Sequence, residues 1–292
     1  MENDICFYLP SFYAGFHRNQ LLLELMQKRP HYFYENIKIA AVYGCFPGSI
    51  WNGGRLELGS CERKEMEFAL REWNQRGIAC RFTFTNPLLE EKHLYDTFCN
   101  LCMELGNNGQ NEVLVNSPLL EEYIRSHYPG YKIISSVTKL LDTEEQETRE
   151  TKHGYELVVL NKKWNNTPTL FALPRKDKYE ILVNSYCQDD CPNMRAHYEA
   201  IGRAQLNFTN VDFPPCKYIN RNFYDIMGNK AFVTAEDLYG IYVDAGFRHF
   251  KLEGRTLDKY RIVESYLYYL VKPEHRDSAR LSLLKAMEKR KK

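Results

Sequence analysis

Cys187 and Cys191 stand four positions apart where an apolar run, 179–183, gives way to Asn184-Ser185-Tyr186. Two thiolates in one loop can turn toward a single ion, so Cys-x3-Cys after a strand is a plausible chelate. Cys216 lies in Asp212-Phe213-Pro214-Pro215-Cys216-Lys217, where two prolines disfavour helix. A rigid segment suits a ligand because less order has to be imposed on it. Cys45 follows a further apolar run, 37–43, and ends at the same level as the others if the strands are parallel. The expectation is a four-thiolate centre of Cys45, Cys187, Cys191 and Cys216, either tetrahedral zinc or a [4Fe–4S] cluster. Spacing does not choose between the two. Cys99 and Cys102 fall inside a helical pattern and read as packing.

A second group of polar residues follows apolar runs: Asn86, Asn116, Ser117, Asn161, Asn184, Glu253 and Arg255. Singly, each reads as a turn or helix cap. Together they suggest one catalytic face. Asn52-Gly53-Gly54-Arg55 could approach an anion with backbone N–H groups and a guanidinium. Arg55 and Arg255 could clamp a carboxylate between them. Glu253 either moves a proton or pairs with an arginine, and pairing is the simpler role. The expected catalytic residues are Glu253 and Arg255, and the expected substrate contacts are Asn52, Arg55 and Asn86. The eight histidines make no His-x3-His or His-Glu-x2-His pattern, and no Gly-x-Ser-x-Gly elbow is present.

The elements that would position these residues alternate in type. Strands are expected at 37–43, 78–85, 112–115, 131–135, 155–160, 179–183 and 249–252. Helices are expected at 61–76, 94–105, 119–126, 196–205, 236–245, 256–270 and 277–289. Strand and helix in turn along one chain imply parallel strands with right-handed crossovers. Seven or eight such units fit an α/β fold of the (β/α)8 TIM-barrel type, distorted or incomplete variants included, with 1–292 as a single barrel domain. An open doubly wound sheet is the rival, weakened by the lack of an early Gly-x-Gly-x-x-Gly.

Composition narrows the function classes. A net charge of +1 gives no overall field to recruit nucleic acid. No run approaches the roughly 18 apolar residues of a membrane span. The acidic start Met1-Glu2-Asn3-Asp4 lacks the layout of a signal peptide, so a cytoplasmic location is expected. Nine cysteines in a reducing compartment then read as free thiols, buried thiols or metal ligands.

The segment Lys251-Leu252-Glu253-Gly254-Arg255 resembles the Lys-[Ile/Leu]-Glu-Gly-Arg signature of the collagenase-like peptidase (U-32) family. Residues 41–45 and Asn52-Gly53-Gly54-Arg55 resemble that family's first strand and its arginine-containing loop. The likeness spans roughly 37–273. It implies a TIM-type barrel. In the short members that act in oxygen-independent hydroxylation, it also implies a [4Fe–4S] cluster held by one early and three late cysteines. Cys45 would be the first, with Cys187, Cys191 and Cys216 the late three. The wide gap from Cys191 to Cys216 departs from that pattern. A small anionic ligand such as prephenate and a homo- or heterodimeric partner are further expectations of the resemblance. A peptidase, or a cluster-bearing subunit without catalysis, remains the alternative.

Overall fold

Six nearly continuous apolar residues, Ile5-Cys6-Phe7-Tyr8-Leu9-Pro10, form strand β1 (Ile5–Pro10). The computed structural model describes residues 4–214, 216 and 221–289. Seven more strands follow: β2 (Ile37–Gly44), β3 (Ala79–Phe84), β4 (Glu112–Val115), β5 (Lys132–Ser135), β6 (Leu157–Val159), β7 (Tyr179–Leu182) and β8 (His249–Lys251). They close in chain order into an eight-stranded parallel barrel. The expected (β/α)8 architecture is present, and the open sheet is excluded. The closing seam pairs Cys6 with His249, Phe7 with Phe250 and Tyr8 with Lys251. No helix among the described residues is long and apolar enough to cross a membrane.

Strand β1 and helix α1 (Phe16–Lys28) precede the first elements expected from sequence. A short apolar run without alternation is what a strand covered on both faces looks like. Counting it makes 37–44 the second strand. Cys45 therefore follows the second strand of the barrel, not the first as the sequence resemblance implied.

The helices sit outside the strands because each carries one apolar stripe. In α2 (Arg63–Asn74), Met66, Ala69, Leu70 and Trp73 are buried at helical spacing, and Trp73 Nε1 donates to the Phe12 carbonyl at 2.9 Å. α3 (Thr97–Gly106) is capped by Asp96. α4 (Pro118–His127) begins with Ser117 accepting from Leu120 N and proline at its first position. α5 (Glu144–Glu150) is strongly acidic and shows little apolar period, so it escapes sequence reading. A reciprocal capping box between Thr143 and Gln146 starts it. α6 (Pro168–Ala172), α7 (Met194–Asn207), α8 (Phe223–Ile226), α9 (Ala235–Asp237), α10 (Lys259–Leu270) and α11 (Arg276–Lys289) complete the set.

Alternation along each strand divides the core in two. Phe7, Phe82, Val113, Ile181 and Phe250 face the helices. Tyr8, Ala41, Tyr43, Ala79, Leu114, Ile134, Leu157 and Val159 fill the barrel interior. Small residues in the interior leave room for charge. Arg81, fully buried, donates from Nε to Glu112 at 2.6 Å and from its terminal nitrogen to Glu180. Its guanidinium lies 4.0 Å from the Tyr8 ring centroid.

Removing one partner from a buried ionic set strands the others. Arg81→Leu is expected to cost about 3–5 kcal/mol, on the order of 10 °C in melting temperature. Adding Glu112→Gln and Glu180→Gln should restore a large part of the loss. Thermal unfolding followed by circular dichroism checks both, and a triple variant no better than the single one would contradict the account.

Candidate active site at the barrel mouth

Beyond the last strand, residues two apart continue to face the same way. Lys251, Glu253 and Arg255 all line one cavity of about 90 Å³ at the C-terminal mouth. The intervening residues anchor the segment. Leu252 is fully buried and its carbonyl accepts from Tyr43 Oη at 2.6 Å. Gly254 passes so close to β1 that a Cβ there would lie 2.6 Å from Pro10 Cγ. Asn184, at the end of β7, accepts from Glu253 N at 2.6 Å and donates to the Glu253 carbonyl at 3.2 Å.

Glu253 pairs with Arg55 through one oxygen and accepts from Tyr186 N at 3.2 Å through the other. Both carboxylate oxygens are thus engaged within the protein. Arg255 makes four contacts. It donates to Asn52 Oδ1 and Thr83 Oγ1 at 2.8 Å, to Gly53 O at 2.7 Å and to Glu57 at 3.0 Å. The loop after β2 is fixed by this grip. It packs tightly at Gly53, where a Cβ would sit 2.5 Å from the Thr85 carbonyl.

Asn52 is fully buried and turned inward, donating to Arg55 O at 2.7 Å and Gln205 Oε1 at 3.2 Å. Asn86 is also fully buried, donating to Ile50 O at 3.0 Å and Gly202 O at 3.1 Å. These two asparagines shape loops and do not line the mouth cavity. Arg55 does line it, and also lines an adjoining, larger cavity of about 640 Å³ with Cys187, His197, Phe213, Cys216 and Glu253. Ser117 and Asn161 act as the caps that their residue types suggested.

Residues not anticipated from sequence complete the mouth: Tyr43, Ser136, Thr138, Lys162, Tyr198 and Lys251. Lys162 follows Asn161 directly after β6. Its ammonium is almost wholly buried and donates to the carbonyls of Gln188 at 2.6 Å and Cys187 at 3.3 Å. Among the described residues it forms no ion pair with a carboxylate. The signal that could have found both lysines is positional. A cation within or just after an apolar strand must have a buried reason to be there.

The four cysteines take different places. Cys45 is buried in the outer core. Burial first, then the neighbouring Glu57 carboxylate, pushes its thiol far up, and Cys102 adds to the effect. Cys187 and Cys216 line the larger cavity together. Burial and then Glu253 push the Cys187 thiol up, against Arg55 and Lys162. Cys191 is half-buried and lines neither cavity. Among the described residues no three His, Cys, Asp or Glu side chains are gathered in a metal-binding arrangement. The four thiols are thus not gathered into one group among the described residues, with Cys45 packed in the outer core.

No protein-family profile and no curated protein matches the chain. Among solved structures, "The Structure of the U32 Peptidase Mk0906" matches with a TM-score of 0.54 and 17% identity, over 86% of this chain and 93% of that one. At that identity the likeness is one of fold, and it agrees with the barrel that the resemblance implied.

Glu147, fully buried in α5, accepts from Asn161 N at 3.2 Å through one oxygen. Burial pushes its carboxyl up to about 8, against the Asn161 hydrogen bond and with help from Glu150. A carboxyl raised on folding favours the fold most below its unfolded pKa, and that contribution is lost as pH rises toward 8. Glu147→Gln should therefore flatten the pH dependence of the melting temperature between about pH 5 and pH 8 and raise it at pH 8. Melting curves across that range test the sign. For the thiols, iron and acid-labile sulfide assays on anaerobically purified protein are expected to give well under one cluster per chain.

Proposed function

We propose that the protein is an enzyme acting on a small carboxylate-bearing molecule bound at the C-terminal mouth of its barrel. The observation that carries this reading is Lys162. A buried ammonium with no acidic partner among the described residues is costly unless an anion completes it. Its surroundings suit that anion. Arg55, Lys251 and Arg255 share the cavity with it, against the single lining carboxylate of Glu253. Ser136, Thr138, Tyr43 and Tyr198 add hydroxyl groups. A parallel barrel commonly places its active site on this face.

The cavity's own residues supply recognition and proton handling. Lys162 and Arg55 would hold the carboxylate, and the hydroxyls would orient the rest of the molecule. Arg255 keeps the loop in register and is a positioning residue, because its donors are taken up by Asn52, Gly53, Glu57 and Thr83. Oxygen-independent hydroxylation, implied by the sequence resemblance, would need a redox centre, and the four cysteines are not gathered into one group among the described residues. A peptidase reading draws on the fold shared with the U32 peptidase structure, since a peptide's terminal carboxylate is an anion of the same kind.

Isothermal titration with pyruvate, citrate, prephenate and short peptides separates these readings. Binding of at least one small carboxylate is expected. Lys162→Met should weaken it about 10- to 100-fold, the effect of one charge-assisted hydrogen bond, while leaving the circular dichroism spectrum unchanged. Equal affinity in the variant would overturn the assignment. Cleavage of a peptide by wild-type protein, lost in Lys162→Met, would select the peptidase.

A further inference from the structure

Lys251 differs from the other cations of the mouth in how it is held. Arg55 and Arg255 each make short contacts to carboxylates and carbonyls, and Lys162 is fixed by two carbonyls. The Lys251 ammonium has none of these among the described residues. Its contacts are Glu180 Oε1 at 3.5 Å and the face of the Tyr43 ring, 4.3 Å from the centroid. Glu180 itself is committed elsewhere, since its other oxygen receives Arg81. The contact to the buried Oε1 is a long ion pair, at the outer limit of a hydrogen bond. The Lys251 nitrogen therefore sits loosely at the floor of a cavity ringed by anion-holding groups.

We propose that Lys251 is the reactive amine of this site, and that it forms an imine with the carbonyl of a 2-oxo acid whose carboxylate lies against Lys162 and Arg55. This rests on the carboxylate-binding reading above. It adds the substrate's second functional group. The neutral amine adds to the carbonyl carbon. The carbinolamine then loses the former carbonyl oxygen as water, taking the two N–H hydrogens of the amine, and a C=N bond replaces C=O. No oxidant or reductant is consumed. The imine nitrogen, once protonated, draws electrons through the C=N bond and eases loss of a proton from the next carbon, C3 of the oxo acid, to give an enamine.

The groups around Lys251 make a free amine accessible near neutral pH. Burial lowers its pKa to about 8, against the pull of Glu180, and the positive charges of Arg81 and Arg255 lower it further. Those three, with Tyr43 above it, are the charged and polar groups that face it from β7, β3, the segment after β8 and β2. An amine near 8 is about one-tenth neutral at pH 7, whereas an exposed lysine is almost wholly protonated. Cationic neighbours and partial desolvation are the recognised means of activating a lysine nucleophile.

The test is reductive trapping on the wild-type protein. Protein is incubated with pyruvate and cyanoborohydride at pH 7 and mapped by peptide mass spectrometry. The expected adduct adds pyruvic acid less one oxygen, on Lys251, at a rate roughly tenfold above exposed Lys28, Lys64 or Lys92. Lys251→Arg keeps the charge and should give no adduct at that position. Limiting formaldehyde with cyanoborohydride, which needs no carboxylate site, should also mark Lys251 ahead of those surface lysines. Absence of the pyruvate adduct from Lys251 overturns the proposal. Calorimetry with pyruvate alone then shows whether carboxylate binding survives it: heat without an adduct removes only the reactive amine, and no heat with any carboxylate removes the anion site as well.

Discussion

The grip of Arg255 on the loop after β2 is the interaction on which the mouth depends. One guanidinium reaches Asn52, Gly53 and Glu57 on that loop and Thr83 at the end of β3. These residues come from opposite ends of the chain and meet only because β8 pairs with β1 and closes the ring. Through Asn52 the grip passes to Gln205 on α7, and through Glu57 O and N the same Gln205 side chain holds the loop from the other side. Arg55 is thereby carried to Glu253, which Asn184 has already fixed by both backbone groups. The loop after β2 and the segment after β8, which form the wall and rim of the cavity, are thus one hydrogen-bonded unit, and few side chains in it can move without breaking a buried partner.

Charge is placed by the same logic. Two cations and two carboxylates, Arg81, Lys251, Glu112 and Glu180, share the barrel interior, so that interior set is neutral when Lys251 is protonated. Above it, Arg55 and Arg255 each meet a carboxylate. Lys162 has carbonyl dipoles alone. Burial of an ion costs several kcal/mol unless it is paired, so a buried ammonium at the mouth with no carboxylate beside it among the described residues marks a place that suits a ligand's charge. The same neutral interior makes Lys251 the cheapest ion to discharge. Deprotonating it leaves Glu180 still bonded to Arg81, whereas losing Arg81 would strand two carboxylates.

Most of the fold was legible because its signals are local. Apolar runs of four to eight residues ended by Asn, Ser or Gly marked seven of the eight strands, and their alternation with helical stripes gave the barrel. Ile5–Pro10 was missed because it precedes any turn signal, and α5 because caps and not an apolar stripe define it. The site was legible only in part. Arg55, Glu253 and Arg255 do meet at the mouth, since position after a strand is a barrel-wide rule. Asn52 and Asn86 obey the same rule yet turn inward, because an asparagine amide satisfies neighbouring carbonyls as readily as it meets a ligand. Lys251 stands in the Lys-Leu-Glu-Gly-Arg segment but was not read as a site residue, and Lys162 was invisible for the opposite reason. A lone lysine carries no motif, and only burial distinguishes it from the many that lie in solvent.

The Cys187–Cys191 loop shows how spacing can point to a metal while the structure supplies other means of holding the same backbone. A turn rich in carbonyls after a strand needs donors. Here Lys162 donates to the carbonyls of Cys187 and Gln188, and Asn229 donates to that of Ser185 at 3.1 Å. Asp189, lying between the two cysteines, accepts from the backbone N–H groups of Lys230 at 2.7 Å and Ala231 at 3.2 Å. The loop is therefore tied to the segment before α9 by its backbone and one carboxylate, and its shape does not require the two thiols to share an ion. That leaves the Cys187 thiol facing the mouth beside Arg55 and Glu253, where it contributes a small polarizable wall. It also ties Lys162 to this loop: the cation proposed to receive the substrate's carboxylate is held in place by the carbonyls of the loop that the cysteines first drew attention to.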